Sequence, residues 1–176
     1  VGNLLTLPYR FAVYARFWLY QHGWIPSKRL SCSVVSVGNL TVGGTGKTPV
    51  TMWVAQHLAA KGKRVAILSR GYKRRSRKPF LLVSNGKDIL VEPTEAGDEP
   101  YLMAIRCPGV IVAVGADRYR LGLWILEHHK VDCMVLDDGF QHLGLERDLN
   151  LLLIDVTDFD GLQALLPFGR LREPLS

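Results

Sequence analysis

The chain has 176 residues, 48% of them hydrophobic and 22% charged, enough apolar material for one complete core, so an intrinsically disordered chain is excluded. Its 17 glycines and 9 prolines follow no fixed period, which excludes collagen-like and coiled-coil designs. The net charge of +6 conceals a split: residues 1–87 hold 15 Lys/Arg and no acid, whereas residues 88–176 hold the other 7 Lys/Arg and all 16 Asp/Glu.

A first half of that cationic density faces anions, whether phosphates, an anionic membrane or nucleic acid. The plainer alternative is two halves that neutralise each other across a shared fold. Three widely spaced cysteines, Cys32, Cys107 and Cys133, form no CxxC pair and read as neither a disulfide framework nor a zinc site. The early apolar stretch is interrupted by Arg10 and Arg16, unlike a signal peptide. Starting at Val1 and stopping just after Arg170-Leu171-Arg172-Glu173-Pro174, the chain reads as a piece of a longer protein.

In chain order, Phe11, Tyr14, Ala15 and Trp18 recur at helical spacing and predict a helix over 8–23. It is too short for a bilayer span and carries arginines inside. Aromatic, basic and free of acids, it suits a membrane interface as well as it suits packing on its own domain. After Pro26, strands and helices alternate. Strands are predicted at 33–37, 65–68, 110–114, 131–136 and 151–154, and helices at 47–61, 98–106 and 117–128. The 47–61 helix would turn Val50, Trp53, Val54 and Leu58 inward, and the 117–128 helix Leu121, Trp124 and Ile125. Segments 80–83 and 89–91, flanking Asn85-Gly86, read as a hairpin. The runs 131–136 and 151–154 are continuously apolar, as in strands buried on both faces. This order predicts a parallel sheet with crossover helices and a ligand site at the carboxyl ends of its strands.

The strongest chemical signal is Thr41-Val42-Gly43-Gly44-Thr45-Gly46-Lys47-Thr48, between the first strand and the first long helix. Glycines let backbone N–H groups close around a phosphate chain, and a helix N-terminus adds partial positive charge. Lys47 would reach the β- and γ-phosphate oxygens and the Thr48 hydroxyl a Mg²⁺ ion, while Thr41 stands where the usual pattern has glycine. Next, Leu136-Asp137-Asp138 ends an apolar strand in two carboxylates, the position that holds Mg²⁺ beside the phosphates in such proteins. In isolation this would read as a turn.

Gly97-Asp98-Glu99-Pro100 has two readings: Asp98 as a helix N-cap, or Asp98 as a general base near the γ-phosphate. The run Lys73-Arg74-Arg75-Ser76-Arg77-Lys78 is a solvated or lipid-facing loop, since no aromatics alternate with its charges as nucleic-acid binding would want. His142, after Gln141, is either structural or near the nucleotide. The nearest string to a guanine signature, Asn85-Gly86-Lys87-Asp88, fails at its second position, which favours ATP.

Together these motifs resemble the tetraacyldisaccharide 4′-kinases, the lipid A 4′-kinases of Gram-negative bacteria. The resemblance rests on Ser36 to Pro49, Leu68-Ser69-Arg70-Gly71-Tyr72, Gly97-Asp98-Glu99-Pro100, Leu136 to His142 and Leu171-Arg172-Glu173-Pro174, in that order. Thr41 agrees with that family's own pattern. The cations from Lys73 onward stand where the family usually has a small, glycine-containing stretch.

The resemblance implies an α/β, P-loop NTPase-like fold, with a mostly parallel sheet and flanking helices, over residues 27–176. An amphipathic, membrane-associated helix over residues 1–26 would precede it. A second domain, carrying a histidine that partners the base, would lie outside this chain. The implied reaction moves the γ-phosphate of ATP to the 4′-hydroxyl of a tetraacyldisaccharide 1-phosphate, giving lipid IVA at the cytoplasmic face of the inner membrane, with no nucleic-acid partner. Thr41 through Thr48, Gln141 and Arg172 would bind ATP, and Thr48, Asp137, Asp138 and Glu173 would hold Mg²⁺. Asp98 would be the base beside Lys47, Glu99 a neighbour coupled to nucleotide binding, and Tyr72 a residue near the acceptor. Phe11, Arg16, Phe17 and Trp18 would meet the membrane. Two other classes remain: an ATPase switch for membrane attachment, and a nucleotide-binding fragment without turnover.

Overall fold

The computed structural model describes residues 2–39, 46–72, 74–155 and 171, with residues 2–10 described by their backbone. Helix α1 (Gly2–Gln21) leads into β1 (Ser33–Asn39), α2 (Lys47–Ala60) and β2 (Val65–Ser69). Then come β3 (Phe80–Asn85), α3 (Pro93–Ala96), α4 (Asp98–Arg106), β4 (Ile111–Gly115), α5 (Arg118–His128), β5 (Cys133–Asp137) and β6 (Leu149–Leu153). The described strands form one sheet in the order β3-β4-β2-β5-β1-β6. All neighbours run parallel except β3, which lies antiparallel to β4 at one edge.

Alternation of side chains along each strand builds two cores, one on each face of the sheet. Val35, Val37, Ile67, Val112, Val114 and Val135 face α2 and α4, meeting Val54, Ala55, Met103 and Ala104. Their sequence neighbours Val34, Ala66, Leu68, Ala113, Met134 and Leu136 face α5, meeting Leu121 and Ile125. Strands covered on both sides must be apolar at every position, which explains the unbroken runs in β2, β4 and β5. Local chemistry starts the helices. Pro49 falls in the first turn of α2, and the Asp117 carboxylate caps α5 by accepting from the Arg120 N–H at 3.0 Å.

Several expectations change. The first helix runs over Gly2–Gln21 rather than 8–23. In α2, Val54 is buried and Val50 and Leu58 pack against the same core as predicted, joined by the buried Thr51 and Ala55, while Trp53 is 63% exposed and stacks on His57 along the solvent side. The predicted hairpin forms with a short return arm: Ile89 bridges Ser84 antiparallel, the Asn85 N–H donates to the Asp88 carbonyl at 3.2 Å and the Leu90 N–H to the Val83 carbonyl at 2.9 Å, while β4 pairs with the other edge of β3. Among the described strands β6 lies at the edge, not buried on both faces, and Leu149 and Leu152 are exposed.

Helix α1 stands largely in solvent, with Phe11, Tyr14, Phe17 and Trp18 exposed. It touches the loop after β5, where the Arg16 guanidinium donates to the Gln141 carbonyl at 3.1 Å and the Tyr20 hydroxyl lies beside Gly144. No helix among the described residues is long and apolar enough to cross a membrane.

Candidate active site

The chemistry gathers at the carboxyl edge of the sheet, as parallel topology dictates. β1 and β5 are neighbours in register, Val37 beside Asp137, so the chain leaving β1 toward the glycine loop and the acids leaving β5 emerge together. Gly46 takes φ 73°, and Lys47 opens α2 directly after it. The Lys47 Nζ lies 3.9 Å from Asp138 Oδ1, over the end of β5.

The two adjacent carboxylates are not equivalent. Asp137 is 4% exposed and accepts from the Ser69 hydroxyl at 3.0 Å and the Thr51 hydroxyl at 3.3 Å. Burial pushes its pKa up to about 6; Glu99 and Asp138 push the same way, against the two hydroxyl bonds. Asp138 adopts φ 49° and turns into the cleft beside Lys47. The chain turns sharply here, the Gly139 N–H donating to the Val37 carbonyl at 3.1 Å. Two carboxylates and the Thr48 hydroxyl are hard oxygen donors of the kind Mg²⁺ selects. Among the described residues no three His, Cys or acidic side chains form a cage.

A cleft of about 820 Å³ opens over this edge. It brings together the predicted Gly46, Lys47, Thr48, Tyr72, Glu99, Asp137, Asp138 and Gln141. Arg16, expected at a membrane, also lines it, and so does His142, whose pKa is lowered by burial and by the nearby Arg118. Phe11, Phe17 and Trp18 stand apart from it on α1. Thr41, Val42, Gly43, Gly44, Thr45, Arg172 and Glu173 lie outside the described residues, as does Lys73.

Asp98 differs from one of its two readings. The N-cap of α4 is Gly97, without a side-chain cap bond, and Asp98 is the first helical residue, exposed beside Glu99 and not itself among the residues that line the cleft. Gly97 sits at φ 91°, and a Cβ there would come within 2.8 Å of the Tyr72 carbonyl. Only glycine fits, and the contact locks the Arg70-Gly71-Tyr72 turn against the start of α4.

Sequence reasoning assigned no role to Thr51, Ser69, Arg70 or Arg118. Ser69 and Arg70 belong to the motif Leu68-Ser69-Arg70-Gly71-Tyr72, and that motif is the sequence signal that marks them. Thr51 and Arg118 read as ordinary helix residues. Arg118 is 4% exposed, and its Nη1 donates to the Gly115 carbonyl at 3.0 Å and the Ala116 carbonyl at 2.9 Å.

Comparison with known proteins agrees with this geometry. The family model described as tetraacyldisaccharide-1-P 4′-kinase matches residues 3–176. A tetraacyldisaccharide 4′-kinase of Geobacter metallireducens is 48% identical over 171 residues, 97% of this chain and 51% of its own length. Its namesake from Aquifex aeolicus is 50% identical over 176 residues, 99% of this chain and 54% of its own. A crystal structure of the "apo" form of LpxK from Aquifex aeolicus in complex with ATP superposes with a TM-score of 0.88 at 47% identity, covering 99% of this chain and 55% of that one. The chain therefore spans about half the length of the curated relatives it matches. With the family model matched over residues 3–176 and relatives near 50% identical over almost all of it, the chain belongs to the tetraacyldisaccharide-1-P 4′-kinase family.

Proposed function

We propose that the complete protein transfers the γ-phosphate of ATP to the 4′-hydroxyl of a tetraacyldisaccharide 1-phosphate, giving lipid IVA. The observation that carries this reading is the convergence of Lys47, Thr48, Asp137 and Asp138 on one cleft, in a chain of this family. The loop Thr41 to Gly46 cradles the phosphates through its N–H groups, and Lys47 draws charge from the β- and γ-oxygens. Thr48, Asp137, Asp138 and Glu173 hold Mg²⁺, which when bound neutralises charge on those oxygens. Gln141 and Arg172 contact the nucleotide, Glu99 couples nucleotide binding to α4, and Tyr72 borders the acceptor.

The acceptor oxygen forms its bond to phosphorus as the bridge to the β-phosphate breaks and ADP leaves. The hydroxyl proton passes to Asp98. Its place at the start of α4, directly before the cleft-lining Glu99 and after Gly97, which packs on Tyr72, supports this role. Exposed Phe11, Phe17 and Trp18, with Arg16 beside them, support docking of α1 on the cytoplasmic face of the inner membrane, where the lipid is presented.

One experiment tests the whole reading. The complete protein is incubated with labelled ATP, Mg²⁺ and the lipid in mixed micelles. Label on the 4′-position of the lipid is the expected result; release of label to water alone would instead identify an ATPase switch. Docking is checked with anionic vesicles: binding should weaken with salt and with Trp18→Ala or Arg16→Glu.

A further inference from the structure

The acid beside Lys47 stands on an unusual backbone. Among the described residues Asp138 is the one non-glycine in the left-handed region, at φ 49°. That conformation is disfavoured, and it persists where the surroundings fix the chain on both sides of it. On one side the sheet does this, because Asp137 is buried and in register with Val37 of β1. On the other side the chain leaves the sheet, and residues 139–142 belong to no strand. The His142 N–H donates to the Gly139 carbonyl at 3.0 Å, which still leaves the Phe140 carbonyl to be held.

Arg147 holds it. Its Nη1 donates to the Phe140 carbonyl at 2.6 Å and to the Gly139 carbonyl at 3.3 Å, and its guanidinium lies 5.9 Å from the centre of the Phe140 ring. Phe140 in turn is seated on β1, since a Cβ at Gly38 would come within 2.6 Å of the Phe140 Cβ. Arg147 rises from a fixed base. Before it, the Glu146 N–H donates to the Lys28 carbonyl at 2.9 Å; after it, the Asp148 N–H donates to the Val34 carbonyl at 2.8 Å. The Asp148 carboxylate also accepts from the Val34 N–H at 2.7 Å. The guanidinium therefore ties the turn after β5 to the edge where β6 joins β1. One planar group serves two successive carbonyls while lying against a ring, which a lysine ammonium has no plane to do.

The side chain acts from outside the cleft. Arg147 lines a separate cavity of about 420 Å³ with Phe17 and Tyr20 of α1, whereas Asp138 and Gln141, on either side of the clamped carbonyls, line the cleft. Whatever Arg147 does for the chemistry passes through the turn.

We propose that Arg147 is a positioning residue for the metal site. By holding the Gly139 and Phe140 carbonyls it keeps Asp138 left-handed, with the carboxylate aimed into the cleft beside Lys47, where Mg²⁺ bound to the nucleotide is received. The inference rests on the metal role given to Asp138 above. Without the clamp the turn relaxes toward negative φ at Asp138 and the carboxylate is re-aimed. Partners that orient a metal ligand in this way typically set about 10–100-fold in metal affinity.

The test uses the complete protein with Arg147→Gln and Arg147→Lys. ADP is titrated calorimetrically into each protein, once with a chelator and once with saturating Mg²⁺, and the ratio of the two affinities is the metal's contribution. In Arg147→Gln that ratio should fall ~10-fold while the metal-free affinity for ADP stays near wild type. Arg147→Lys, which keeps the charge and gives up the plane, should recover part of the loss. In the transfer assay the Mg²⁺ concentration for half-maximal rate should rise by a similar factor, with the KM for lipid unchanged.

An equal loss of ADP affinity with and without metal would overturn the proposal, because Arg147 would then brace the whole cleft. Lowered thermal stability with an unchanged ratio would overturn it too, as would a wild type whose ADP affinity Mg²⁺ does not raise. Full recovery in Arg147→Lys would do the same, since charge alone would then suffice. Should Arg147→Gln fail to fold, Arg147→Lys decides by the same ratio. Absence of lipid phosphorylation by the wild type would refute the kinase reading and leave the titrations to decide on Arg147.

Discussion

Strands β2 and β5 lie side by side, and their two ends treat charge in opposite ways. At the amino end, Arg64 and Asp132 form a solvent-facing pair, with the guanidinium Nε 2.9 Å and the Arg64 backbone N 2.8 Å from the same carboxylate oxygen. That pairing holds the Asp132 carboxyl well below the ordinary carboxylate range. At the carboxyl end, Asp137 and Arg118 are both buried, and neither has an opposite charge at ion-pair distance among the described residues. Burial pushes the acid up to about 6 and the base down to about 10. The residue types are the same; the difference is whether the charges meet each other in solvent or are buried apart. Displaced ionisation of this kind concentrates where a protein does chemistry.

The largest way to sharpen that contrast is Asp98→Asn. The start of α4 is set by Gly97, so the substitution should leave thermal stability intact, while loss of the proton acceptor slows phosphoryl transfer by roughly 10²–10⁴. Steady-state kinetics on the complete protein, alongside melting curves, checks both halves; normal turnover would retire Asp98 as the base. Lys47→Ala comes next. Removing one preorganised charge aimed at the transferring group should cost ~10²–10³ in rate with the fold preserved. Near-native activity would remove Lys47 from the phosphate site.

A third prediction turns on pH. The pKa of Asp137 in the folded protein, about 6, lies above the ordinary value of 3.8, so the native state holds this proton more tightly than the unfolded chain does. Its contribution to stability is full below about pH 4 and is lost as pH rises through 6. At about 1.4 kcal/mol per unit, the loss approaches roughly 3 kcal/mol at neutral pH. Asp137→Asn should recover most of it in metal-free protein and forfeit the stabilisation that Mg²⁺ brings to the wild type. Melting temperatures between pH 5 and 8, with and without Mg²⁺, measure this. A metal-free wild type that is no less stable than the variant at pH 8 would contradict the strain assigned to the carboxyl end.

The smallest effect belongs to the other end. Arg64→Ala or Asp132→Asn should cost a little thermal stability, less so at high salt, and leave transfer unaffected, because an exposed ion pair holds two strand starts and touches no substrate. A large loss of activity from either would mean that the two ends are coupled through β2 and β5.

Much of this molecule was legible before any coordinates. The loop from Thr41 to Thr48 and the Leu136-Asp137-Asp138 strand end are contiguous stretches, whose chemistry depends on order along the chain. The apolar runs of β2, β4 and β5 likewise declare strands with both faces covered. Two readings differ for one reason: each depended on a neighbour distant in sequence. Trp53 shares the helical stripe of Val50 and Val54, but where the sheet and α4 lie decides which edge of that stripe is buried. β6 has the sequence of a central strand and a place at the edge.

What the sequence by itself determined, then, is the set of local elements, the phosphate loop, the paired acids and the family, because each is written in neighbouring residues or in a periodic pattern. The tertiary structure alone decided that Asp137 and Asp138 differ, one sealed by Thr51 and Ser69 and the other turned toward Lys47. It also decided that Arg118, a plain helix residue in the sequence, becomes a buried cation in the same cleft as Arg70. Desolvation and Coulomb interaction depend on distance through space, and that distance exists only once the sheet has set β4, β2, β5 and β1 in order.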